Sequence, residues 1–125
     1  DAPRIVTPHA GEFARIRVAV SSDQKTTVVL KGPVTELWQT TTPTYHSFFG
    51  GPVLARGGSG DLLAGLIGGL LAQTPADPLL AAARGVVWHG LAADRLARTH
   101  GQVAVSITQL LDFLPAALKE SAHEQ

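Results

Sequence analysis

Residues 57–61, "GGSGD", set three glycines, a serine and an aspartate directly ahead of the apolar run Leu62 to Ala72, and Asp61 is the only charged residue between Arg56 and Asp77. The first turn of a helix carries backbone N–H groups without helical partners, and aligned peptide dipoles add roughly half a positive charge there. An anion is stabilised at such a turn. Gly57, Gly58 and Gly60 remove the β-carbons that would hold a phosphate away and permit the positive φ values that converge successive N–H groups; Ser59 adds a hydroxyl. The run lacks the Lys-Ser/Thr ending of a Walker loop, and its spacing is not that of the dinucleotide fingerprint. A carboxylate in this turn repels a bare phosphate unless a metal or a proton-bearing substrate stands between them. Asp61 therefore has two readings: a base that takes the proton from an attacking hydroxyl, or an acidic first-turn residue that complements the helix dipole.

The rest of the chain must position that turn. Its 125 residues, 45% hydrophobic and 16% charged, suit one domain with a core. A formal charge of +0 provides no field to gather nucleic acid or an anionic membrane, so neither is expected as a partner. The absence of cysteine excludes disulfides and thiolate metal sites and suits a reducing compartment. No signal-peptide pattern opens at Asp1 and Leu62 to Ala72 is shorter than the ~18 residues that suggest a membrane span, so a soluble, cytoplasmic protein is expected.

"RIVTPH" (Arg4 to His9) and "TTVVLKG" (Thr26 to Gly32) are β-branched runs that read as strands. "GEFARIRVAV" between them predicts a short helix, and Ala10 to Lys25 just exceeds the roughly 10–12 residues of a parallel crossover. "TELWQ" and "TYHSFF" flank "TTTP", and the alternation of Leu37, Tyr45 and Phe49 with polar neighbours predicts an antiparallel edge hairpin. From Asp61 the period becomes helical. Ala64, Gly68 and Ala72 form a small-residue stripe beside the leucines, and with Gly65 and Gly69 they predict close packing on a sheet. Asp77 and Pro78 start a helix running to about Arg98. Thr108 is expected to cap a last helix, interrupted by Pro115, and the tail after Glu120 to fray. The order of elements is that of an α/β domain whose later part is mostly helical. His9 can be an ordinary strand-end histidine, His89 structural, Glu12 a helix starter, the Lys31 ammonium merely solvated, and Trp38 and Trp88 packing residues.

"GGSGDLLAGLIGGLLA" resembles the GTGD-type motif of the ribokinase-like superfamily, and "TPHAGEFARI" with "VVLKGPVT" narrows the resemblance to the ADP/ATP-dependent NAD(P)H-hydrate dehydratases. "VVWHGLAADRLA" and "TQLLDFLPAAL" are similar to that family's closing helices, so the likeness covers nearly the whole chain. It implies a ribokinase-like three-layer α/β/α fold, with residues 1–125 as a single partial domain, the C-terminal, nucleotide-side half. The family's glycine-rich N-terminal half has no counterpart here, the crossover before "VVLKG" is short, and Gly51 and Arg56 replace an asparagine and a small or hydroxyl residue. The implied activity is a carbon–oxygen hydro-lyase reaction in cofactor repair. Hydrated NADH or NADPH is returned to the intact cofactor with ADP (bacterial members) or ATP (eukaryotic members), through phosphorylation of the ring hydroxyl and its loss as phosphate. Carried over by motif, Asp61 contacts that hydroxyl as base, and His9 contacts the hydrate. Lys31, Gly32, Pro33, Val34 and Thr35, with Gly58, Ser59 and Gly60, bind the nucleotide. Mg²⁺ is expected with the nucleotide and no protein metal-ligand set is assigned; a homo-oligomer is implied. Two rivals remain: a ribokinase-like kinase for a sugar or vitamin precursor, which the "TPH.GEF" pattern opposes, and a non-catalytic nucleotide-binding module.

Overall fold

The computed structural model describes residues 4–21, 23–40, 42–49, 59–101, 109–115 and 117. Strand β1 (Arg4–Val6) leads through helix α1 (Ala10–Ser21) into β2 (Thr26–Leu30), and the two strands pair in parallel, so the short crossover does close a βαβ unit. Strands β3 (Thr35–Trp38) and β4 (Tyr45–Ser47) follow antiparallel, giving the sheet order β1-β2-β3-β4 among the described residues. The expected hairpin is present, but only β4 lies at the edge, because β3 pairs with β2 through Val28↔Trp38 and Val29↔Leu37. Tyr45 stands opposite the buried Leu37 across the hairpin, and Tyr45 and Phe49 are exposed.

Neighbouring strand residues point to opposite faces, and that alternation separates two layers of helix. Val29 and Leu37 lie in one core with Leu63, Ile67, Ala82 and Val86 of helices α2 (Ser59–Gln73) and α3 (Pro78–His100). On the other face Trp38 meets Phe13 of α1 edge-to-face, with ring centroids 5.5 Å apart. The arrangement is α/β/α in three layers. Helix α3 runs across all four strands and also packs on α2 and on the helical residues 109–115 and 117, where Leu91, Leu96, Leu110 and Leu114 form a second core. Being covered on two sides, its middle turns are buried almost all round. Trp88 donates from Nε1 to the Leu114 carbonyl at 2.7 Å, which ties that last segment to α3.

The helix ends follow local rules. Asp77 caps α3 by accepting from the Leu80 N–H at 3.0 Å, with Pro78 in the first turn, and Gly101, at φ 80, ends it. The predicted cap Thr108 and the tail beyond Glu120 lie outside the described residues. The expected stripe on α2 is corrected: Ala64, Gly65, Gly68, Gly69 and Ala72 are exposed, and a Cβ on any of the three glycines would meet nothing within 4 Å. Close approach is made from α3, where a Cβ on Gly85 would come 2.6 Å from Ile67 Cγ1. No helix among the described residues is long and apolar enough to cross a membrane.

Candidate functional site

The loop between β1 and α1 is closed by a reciprocal pair. His9 precedes the first helical residue, and its Nδ1 accepts the Glu12 N–H at 3.2 Å while Glu12 Oε1 accepts the His9 N–H at 3.0 Å. This is capping-box geometry with a histidine in the place usually held by serine or threonine. With Nδ1 accepting, a ring proton lies on Nε2, 3.3 Å from the same Glu12 oxygen. The backbone hydrogen bond from His9 holds the Glu12 carboxyl below its ordinary value, with smaller contributions from the charges of His9, Lys31 and Arg15. His9 is thus an ordered, solvent-facing helix cap, neither a loose strand end nor a core residue.

The same loop is tied to the end of β2. Lys31 donates its N–H to the Pro8 carbonyl at 2.9 Å, and His9 and Lys31 form an isolated parallel bridge. Both residues therefore stand just past the carboxyl ends of two adjacent parallel strands, where open α/β sheets bind ligands. From there the Lys31 side chain reaches α2: a Cβ on Gly60 would lie 2.9 Å from Lys31 Nζ. Gly60 lies within the helix, and among the described glycines only Gly101 has positive φ, so space rather than a left-handed backbone is what Gly60 provides.

Helix α2 begins at Ser59, two residues before Asp61, which lies exposed in its first turn. Ser59 is buried, with its Oγ 3.4 Å from Nε2 of the equally buried His89. The hydroxyl expected to face an anion instead faces α3. Burial pushes His89 down to about 4, opposed by its backbone hydrogen bond with Ser59 and assisted by the Lys31 charge. In the nucleotide segment Gly32 and Pro33 are exposed, Val34 is half-buried, and Thr35 opens β3 opposite Ser47. Gly58, with Gly51, Arg56 and Gly57, lies outside the described residues.

The fold thus brings His9, Lys31 and Gly60 to one end of the sheet, with Asp61 in the turn that Lys31 approaches. Two participants carry more than the sequence reading assigned them. Glu12 was readable from its three-residue spacing to His9, whereas His89 is thirty positions from Ser59, and no local pattern announces that contact.

The NAD(P)H-hydrate dehydratase family model matches residues 1–116. The bifunctional NAD(P)H-hydrate repair enzyme Nnr of Moorella thermoacetica is 36% identical over 98% of this chain, which spans 26% of that enzyme. An ADP/ATP-dependent NAD(P)H-hydrate dehydratase from Bacillus subtilis, co-crystallised with ATP/Mg²⁺, superposes with a TM-score of 0.80 at 31% identity over 94% of this chain and 48% of its own. A ribokinase-like superfamily protein of Enterococcus faecalis gives a TM-score of 0.74 at 31% identity over 93% of this chain and 44% of its own. The chain thus spans about a quarter of the repair enzyme and about half of the two solved proteins. In sequence and in its three-layer ribokinase-like architecture, it belongs to the NAD(P)H-hydrate dehydratase family.

Proposed function

We propose that this chain is the nucleotide-side part of an ADP- or ATP-dependent dehydratase that restores NADH or NADPH from the hydrated cofactor, residues 1–125 forming one portion of a single domain. The observation that carries the reading is the approach of Lys31 Nζ to the Cβ-free side of Gly60 at the start of α2. An ammonium and first-turn N–H groups on one side suit a phosphate chain. Gly58, Ser59 and Gly60 receive the phosphates, and Lys31 to Thr35 lie along the nucleotide. His9 faces solvent at the same sheet end, where it can donate from Nε2 to the hydrate.

In this reading the Asp61 carboxylate accepts the proton of the ring hydroxyl as its oxygen attacks the terminal phosphorus. The phosphoanhydride bond breaks, and AMP or ADP leaves with that electron pair. The ring C–O bond then breaks with its electrons leaving on phosphate, and loss of a proton from the neighbouring carbon restores the double bond. Backbone N–H groups of the turn and the Lys31 ammonium hold the charge that grows on the transferred group. Mg²⁺, when bound, supplies further positive charge to the phosphates. Such a cation would be held mainly by phosphate oxygens and water.

The direct test is hydrate disappearance in the full gene product, followed with ADP and with ATP. One equivalent of phosphate released per hydrate consumed is expected with at least one of them. A hydrate that persists with both nucleotides rejects the reading, and a phosphorylated product that accumulates without dehydration assigns a kinase.

A further inference from the structure

The middle of α3 reaches the proposed nucleotide turn through one side chain. His89 and Ser59, 3% and 2% exposed, meet across the α2–α3 contact with Nε2 3.4 Å from Oγ. The next residue, Gly90, is held in turn: a Cβ there would lie 2.5 Å from Phe49 Cβ and 3.0 Å from its carbonyl carbon. With the exit of β4 against that point of α3 and the sheet beneath it, the imidazole has little freedom to swing. A buried hydroxyl on the first residue of a helix has few alternatives once such a partner is in place.

We propose that His89 is a positioning residue of the nucleotide turn: by gripping Ser59 across the α2–α3 interface, it fixes the first turn of α2, with Gly60 and Asp61, relative to the Lys31 ammonium. The inference rests on the reading of that turn as the nucleotide site. His89 touches neither nucleotide nor hydrate and acts through Ser59. Its neutral form, favoured by burial and by the nearby Lys31 charge, can donate to or accept from the Ser59 hydroxyl and leaves Lys31 as the cation that meets the phosphates.

The test is calorimetric titration of ADP and of ATP, each with Mg²⁺, into the full gene product and its His89→Leu, His89→Gln and Ser59→Ala variants, with steady-state KM for nucleotide and for hydrate. His89→Leu keeps the volume and is expected to weaken the preferred nucleotide about tenfold, the effect of one lost buried hydrogen bond, and to raise the nucleotide KM while the hydrate KM stays within about twofold. His89→Gln, which can still reach Ser59, recovers most of the loss, and Ser59→Ala adds little once His89 is Leu. A folded His89→Leu protein with wild-type nucleotide affinity, or fully additive effects of the two sites, overturns the role. Should His89→Leu not fold, His89→Met, which likewise lacks the ring nitrogens, replaces it in the cycle with Ser59→Ala. Wild-type protein that binds neither nucleotide rejects the underlying site, which separates that failure from a failure of His89 alone.

Discussion

Lys31 Nζ occupies the space that a side chain on Gly60 would take, 2.9 Å from the position of its Cβ. The neighbour that must yield is the far end of a flexible chain, so Gly60→Ala should cost the fold little. In a helical position the change even gains up to about 1 kcal/mol. The ammonium must nevertheless leave the mouth of the turn. Thermal melts should show an unchanged or raised Tm, while calorimetry shows weaker ADP or ATP binding; equal nucleotide affinity in the two proteins would separate Lys31 from the phosphate site.

Asp61→Asn in the full gene product should abolish turnover and leave nucleotide affinity nearly intact. The amide keeps the shape of the carboxylate but cannot take the hydroxyl proton, so the loss falls on the chemical step. If Asp61 only complements the dipole of α2, the change costs up to about 1 kcal/mol of stability and leaves the rate almost untouched. Single-turnover kinetics beside a melting curve decides between the two.

His9 combines a structural duty with its proposed contact to the hydrate, and one substitution separates them. Asparagine is among the best N-cap residues, so His9→Asn should keep α1 capped to within about 0.5 kcal/mol while removing the Nε2 donor. A raised KM for the hydrate with an unchanged Tm is expected. An unchanged KM would reduce His9 to its role as the partner of Glu12.

Much of this architecture is written locally. β-branched runs gave away β1 and β2, and Asp77 with Pro78 marked the start of α3, because each signal acts within a few residues of itself. The large apolar side chains of α2, Leu62, Leu63, Leu66, Ile67, Leu70 and Leu71, recur at helical spacing and are its buried or half-buried side, as periodicity predicts. What was not readable is that the small-residue stripe beside them faces outward, because close approach between α2 and α3 is made by Gly85 of α3. The site divides likewise: the glycine turn, Lys31 and His9 stand out as motifs, whereas the Ser59–His89 contact exists only once α2 and α3 are packed.

One glycine on each of α2 and α3 makes a paired test. Gly68→Ala on α2 adds a methyl group to open space in a helix interior and should stabilise by about 0.5–1 kcal/mol. Gly90→Ala on α3 drives a methyl group against Phe49, including its backbone, where nothing can rotate aside, and should destabilise by about 1–3 kcal/mol. Denaturant midpoints for the two proteins should move in opposite directions; a shift of the same sign would contradict the assignment of the α2 faces.

The pH dependence of stability should carry the signature of His89. Its folded value is pushed from 6.5 to about 4, mainly by burial, with Lys31 adding to the shift. Above pH 6.5 the ring is neutral in both folded and unfolded chains and burial carries no ionisation penalty. As pH falls from 6.5 towards 4 the unfolded chain takes up a proton that the folded one refuses, so stability declines, by roughly 3 kcal/mol across the window. Glu12 and Asp23, whose carboxyls are held low, also lose stability in acid. Subtracting the curve of His89→Gln removes their contribution. The remaining difference should be flat above pH 7 and slope downward between pH 6.5 and 4; a flat difference throughout would mean that His89 takes up its proton within the fold as readily as in the open chain.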